Sequence, residues 1–215
     1  MSDSNAKQHL KKRIIIIVAI LSAILLIMYM MTLLLPLLSS HMNRQEEEGT
    51  ADFNFYTPDY NENIFEDKEY MALIADGILK YDNAANSVVS INNDNAAEHG
   101  DAVKLLADLV DAIINGDNIR YNSFFSKEYL KAHGEKNRFT MQKIYDATIT
   151  YYSTESIASG SDNYTKYIYK LSYSILDNNG TFRNDIGEDK KTQYIVITNR
   201  EGSLKIDAIS TSKYK

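Results

Sequence analysis

From Ile14 to Leu35 the chain carries no charge. Only Ser22, Tyr29 and Thr32 interrupt its aliphatic residues, and Pro36-Leu37-Leu38 close the run. A helix rises about 1.5 Å per residue, so the stretch to Leu35 would reach about 33 Å, enough to cross a hydrocarbon core of about 30 Å. A buried globular helix of that length would keep a polar face, and this run has none. A cleaved signal peptide is the alternative. Its apolar region would be about 7–15 residues long and end at a small-residue site. Ser39-Ser40-His41 offers no A-x-A pattern, and the chain has no cysteine to carry a lipid. The sequence therefore predicts an uncleaved transmembrane helix over 14–38, with membrane lipid as its surroundings.

The flanks give that helix a direction. Lys7, Lys11, Lys12 and Arg13 precede it, while Arg44 alone and then Glu46-Glu47-Glu48 follow. Positive flanks stay on the cytoplasmic side. Residues 1–13 are then a cytoplasmic tail, and everything after about Ser39 is extracytoplasmic. The expected location is the cell membrane, with a single pass.

About 170 residues remain after the run, enough for one domain and a linker. The absence of cysteine excludes disulfides and thiol-ligated metal. Residues 45–118 hold 3 Lys/Arg against 17 Asp/Glu, a net of −14, whereas 119–215 hold 15 against 11, a net of +4. Such an acidic half would be repelled by anionic lipid and cell-wall polymers, and a solvated linker is the plainer reading. The basic residues of the second half are dispersed, so no nucleic-acid footprint is present.

Residues 39–58 read as a linker rich in Glu, Asn, Asp and Thr, and 59–93 as an acidic extension tethered by Tyr60, Ile64, Phe65 and Tyr70. Glu66–Ala75 suits a short helix, and Ile78–Tyr81 and Ser87–Ile91 two short strands. From Asp94, an N-cap candidate, Val103, Leu105, Leu106, Leu109, Val110, Ile113 and Ile114 recur at helical spacing up to Gly116. Lys104, Asp108 and Asp111 fall on the opposite face. Two short helices follow over about 117–125 and 127–132, the second capped by Ser126 and ended by Gly134. Thr140–Ile144 reads as one more turn. The period then changes to two. A strand is predicted over Asp146–Ile157, and in the next Tyr167, Tyr169, Leu171, Tyr173 and Ile175 share a face. Asn178-Asn179-Gly180 marks a turn, Phe182–Lys191 a polar loop, and Tyr194–Thr198 and Leu204–Ile209 the last strands.

Helices first and sheet after predict an α+β domain over 94–215, its helices packed on a curved antiparallel meander sheet. This order of elements resembles the cone-shaped superfamily typified by nuclear transport factor and ketosteroid isomerase. The closing strand, Glu201-Gly202 turn and Leu204-Lys205-Ile206-Asp207 fit it as well. A short tail, one membrane helix and such a domain outside resemble the bitopic assembly subunits of type IV secretion and conjugation systems. No functional residue is carried over, because no motif matches residue by residue.

Members of that superfamily that are enzymes place an Asp or a His/Asp pair in a pocket on the concave face. The candidates here, His99, His133, Asp146 and Asp207, are explained as well by helix ends and strand edges. Asp177, Asn178, Asn179, Asp185, Glu188 and Asp189 gather oxygens in one hairpin region but lack the spacing of a calcium loop. No catalytic residue, metal ligand or cofactor is therefore expected. The hints that remain are aromatic. Sixteen tyrosines and the Phe182-Arg183 pair suit contact surfaces as well as half-buried sheets. The candidate partner- or ligand-binding residues are Tyr151, Tyr169, Tyr173, Phe182, Arg183 and Tyr194. The expected function is a membrane-anchored extracytoplasmic protein-interaction or assembly module, with a protein partner or self-association. The alternative is a surface ligand-binding or sensor domain that uses the cone pocket.

Overall fold

A computed structural model describes residues 55–85, 87–159, 162–185 and 190–212. The expected membrane span, cytoplasmic tail and most of the linker lie outside these residues. Among the described residues no helix is long and apolar enough to cross a membrane.

The fold is α+β: a six-stranded, open, curved sheet with few helices. The helices are α1 (Lys68–Leu73), α2 (Asp101–Ile114), α3 (Asn118–Ser123) and α4 (Lys127–His133). The strands are β1 (Leu79–Asp82), β2 (Val88–Ile91), β3 (Lys143–Ser159), β4 (Asp162–Leu176), β5 (Lys191–Thr198) and β6 (Lys205–Ser210). Their order in the sheet is β2-β1-β3-β4-β5-β6. β3 to β6 form the antiparallel meander that the period-two pattern predicts. The sheet as a whole is mixed, because the two short strands of the extension join the meander and β1 lies parallel to β3, from Leu79 opposite Ala147 to Asp82 opposite Thr150. Leu79 and Ile91 are buried there and continue the apolar floor of the sheet. Adding the hairpin extends the core, which outweighs the less favourable geometry of parallel pairing.

Three bulges bend the sheet. One extra residue enters β3 between Tyr145 and Thr148, another between Tyr151 and Ser153, and β6 gains one opposite Val196/Ile197. An extra residue reverses the in–out alternation beyond it. Ile144 is therefore buried before the first bulge, whereas Ala147 and Ile149 are buried after it. Asp146 takes a positive φ of 48° at that point. In β6 the bulge at Asp207 lets both Ile206 and Ile209 face the core beside Ile197 and Ile195.

Helix α2 closes the core. Val103, Leu106, Leu109, Val110, Ile113 and Ile114 are buried as predicted, and Leu105 is partly so. The Asp94 cap is corrected. Asn92 accepts from the backbone N–H of Asp94 and Asn95, a short 3-10 turn covers Ala96–His99, and α2 begins only at Asp101. Gly100, at φ 108°, separates the two. The predicted stop at Gly116 is confirmed as a Schellman motif: Asp117 N–H donates to Ala112 C=O at 2.9 Å and Gly116 N–H to Ile113 C=O at 3.2 Å. The Thr140–Ile144 turn is also corrected. Gln142 N–H donates to Ile114 C=O, and Thr140 N–H to the Thr181 hydroxyl, so the segment forms no helical turn and β3 starts at Lys143.

Residues 64–91 share this core. Ile64 and Tyr70 are fully buried, and the Tyr70 hydroxyl donates to Ile144 C=O at 3.0 Å. Asp67 caps α1, accepting from Glu69 and Tyr70 N–H through one carboxylate oxygen. Its other oxygen takes Lys143 Nζ at 2.7 Å.

Two substitutions test this packing. A Cβ at position 116 would stand 2.9 Å from backbone atoms of Thr140 and Met141, at φ +65°. Gly116→Ala should therefore lower stability by about 2 kcal/mol or more in urea unfolding. Tyr70→Phe leaves Ile144 C=O without its donor and should cost about 1 kcal/mol by the same measurement.

Candidate functional site

Three places gather polar chemistry or open backbone. The first is the free margin of the sheet. Its two edges differ. At β6 the α3–α4 connection lies along the strand, with Ile206 N–H donating to Phe124 C=O and Ser126 N–H to Ile206 C=O, both at 2.9 Å. At β2 no described segment does the same, because β2 pairs with β1 alone. Beside β2, a cleft of about 340 Å³ lies between the β1–β2 hairpin and α2. Ile74, Ile78, Ile91, Ala107, Val110 and Ile114 line it, with Ser90, Asn92, Asn93 and Asp111 as its polar members. Asp111 is not free to change partners cheaply: it and Asp108 hold the Arg120 guanidinium, which fastens α3 to α2.

The second place is the aromatic block under α3 and α4. Tyr121 meets Phe125, Phe139 and Phe182 with ring centres 4.9, 5.9 and 5.6 Å apart, and Phe125 stacks on Tyr129. Arg183 threads into it. Its Nη1 donates to the buried Tyr173 hydroxyl at 3.2 Å, and its Nε donates to Asp185 at 2.7 Å. The Arg183 hydrogen bonds hold the Asp185 carboxyl below its ordinary value, although burial works the other way. Lys136 lies 5.3 Å from the Phe182 ring centre, and burial, with Arg183 nearby, depresses its ammonium. Burial also raises the Tyr121 and Tyr173 phenols. This is a satisfied network: no buried side-chain polar atom among the described residues lacks a partner.

The third is a charged clasp. Lys143, with a nearly buried side chain, reaches Asp67 at 2.7 Å, Asp177 at 2.9 Å and Glu62 at 3.0 Å. Burial disfavours its charge, but the three carboxylates outweigh that and hold the ammonium above its ordinary value. Lys143 in turn depresses Asp67, helped by the helix N–H of Tyr70.

The six predicted contact residues do not share one surface. Tyr169, Tyr173 and Phe182 are buried in the core, and Tyr151 meets Tyr169 edge-on at 5.8 Å. Arg183 is enclosed as described. Tyr194 sits half-buried on the opposite face of the sheet, edge-on to Tyr152. The weighed acid and base candidates are also dispersed. His99 lies against Tyr81, His133 against Tyr129, Asp146 against Lys190, and Asp207 accepts from the Thr198 hydroxyl. Of the oxygen-rich hairpin, Glu188 and Asp189 lie outside the described residues. Asp177 and Asp185 are taken by Lys143 and Arg183. Among the described residues no group of His, Asp or Glu is arranged to hold a metal.

The β2 edge, the cleft and the Lys143 clasp are the features that residue-by-residue reading missed. A signal for the first was present: Ser87–Ile91 is an uncharged, proline-free run in an otherwise acidic region. No protein-family profile, no curated protein and no solved structure matches the chain.

The clasp has a pH signature. Asp67 titrates below the ordinary carboxylate range, so its contribution to stability is present above that range and fades as pH falls through its lowered value; Asp185, held by Arg183 outside the clasp, behaves the same way. Lys143 is the opposite case: its contribution is complete below its ordinary value and fades only as pH rises past the raised one. Asp67→Asn should lower the urea midpoint at pH 7. Its further loss on acidification to pH 3 should be smaller than that of the unsubstituted protein, read by circular dichroism.

Proposed function

We propose that this chain is a membrane-anchored, extracytoplasmic protein-interaction module, a subunit of a secretion or conjugation assembly. The observation that carries the reading is the open β2 edge beside a cleft of mixed apolar and polar lining. A backbone edge with an adjoining groove suits recognition of another chain by main-chain pairing. The charge-free run at 14–38, with Lys7, Lys11, Lys12 and Arg13 before it, supports the anchor and its direction. The bent meander with α2 to α4 on one face fits a cone-shaped domain, which supports the resemblance to bitopic assembly subunits. The reading is non-enzymatic.

A second reading, a surface sensor for a small ligand, is favoured by the cleft itself. Its volume falls in the range of ligand pockets, and its lining mixes apolar side chains with Ser90, Asn92, Asn93 and Asp111. The space beneath α3 and α4 supports it less, because Tyr121, Phe125, Phe139 and Phe182 fill it.

Affinity purification of the tagged full-length protein from its own membranes, after mild crosslinking, separates the two. Recovery of a transport ATPase and multi-span membrane subunits is the expected outcome. Recovery of the protein alone would overturn the assembly reading and direct a ligand screen to the cleft.

A further inference from the structure

We infer that β2 accepts a seventh strand: an extended segment of a partner protein that alternates apolar residues and carries Lys or Arg at its ends. The inference deepens the interaction reading and rests on it.

The hairpin register fixes which backbone groups are on offer. Asn83 N–H donates to Ser87 C=O at 3.3 Å, which makes that pair hydrogen-bonded. Pairs alternate along an antiparallel ladder. Tyr81 with Val89 and Leu79 with Ile91 are then bonded pairs. Val88 and Ser90 turn their N–H and C=O groups outward. The β1–β3 side agrees, since Ala147 N–H donates to Ile78 C=O and so leaves Leu79 to face β2. The only contact to these outward groups among the described residues is the Asn95 amide, 3.5 Å from Ser90 C=O.

The edge is short, at four residues, and Asn95 reaches one of its carbonyls, but it lacks the other devices that proteins use to block such pairing. It has no charge, proline or bulge, and Val88 is 59% exposed. An incoming strand would lay one set of alternate side chains over Val88. It would point the other set towards the cleft, past Val89 and Ile91.

Charge selects the occupant. Residues 55–118 carry 13 Asp/Glu against 3 Lys/Arg. Asp76 and Asp94 flank the hairpin and Asp82 lies in it, beside one cation, Lys80; none of the three aspartates belongs to an ion pair with a described residue. A second copy would bring the same acidic frame against itself. A basic-ended strand is complementary to it.

The test uses the full-length protein and a short labelled peptide alternating valine and threonine between terminal lysines. A second peptide has glutamates in place of the lysines. Fluorescence anisotropy should show binding of the basic peptide and at least about tenfold weaker binding of the acidic one. Ser90→Pro, which removes an outward N–H, and Val88→Lys, which adds a charge at an exposed position, should each weaken the basic peptide about tenfold or more, with circular dichroism unchanged for Val88→Lys. In cells, a photo-crosslinking residue at position 88 should capture a partner that the same residue at Ile119 does not. Equal binding of both peptides, no effect of Val88→Lys, or capture of a second copy of this chain would overturn the inference. If position 88 captures nothing while purification still recovers membrane subunits, only the β2 docking is wrong. If purification recovers the protein alone, the interaction reading is wrong as well.

Discussion

The structure depends on how β3 is bent. It is the longest strand, and it pairs on both sides, with β1 along one edge and with β4 along the other. The bulge between Tyr145 and Thr148 reverses its alternation, so Ile144 and Ala147 both point into the core. The backbone just before the bulge then carries three separate tasks. Lys143 collects carboxylates from residues 62, 67 and 177, Ile144 C=O receives the Tyr70 hydroxyl, and Gln142 N–H caps the end of α2. Straightening this corner would release all three contacts at once.

The elements with strong period were legible in the sequence. The 3.6-residue spacing from Val103 to Ile114 and the alternation from Tyr167 to Ile175 each lie on a face long enough to declare itself. Gly116 and Ser126 were legible because a helix stop and a cap have local chemistry. The Asp94 cap was misread because Asx turns use the same residue types as helix caps. The parallel β1–β3 pairing was not legible, because strand neighbours far apart in sequence leave no mark on either strand.

The site shows the same division. Tyrosines at alternate positions mark a sheet face, but the residues alone do not say whether that face meets a partner or its own helices. Tyr169, Tyr173 and Phe182 meet their own helices and sheet. Arg183 paired with an aromatic reads as an interface anchor, yet the aromatic partners it finds are internal. An open edge is the reverse case. What distinguishes β2 from β6 is the position of the α3–α4 connection, which depends on the whole fold.

The parallel pairing of β1 with β3 also bears on the order in which the chain assembles. Leu79 and Ala147 are about seventy positions apart, so the hairpin can close locally but β1 has no second strand to pair with until β3 has been synthesised. During translation β1 and β2 would both present open margins. Completion of β3 covers the β1 margin and leaves β2 exposed at the end of a finished sheet. A chain stalled before the bulge has no paired strand behind Val88 and Ser90, so the β2 edge takes its place at the margin of the six-stranded sheet only once β3 is made.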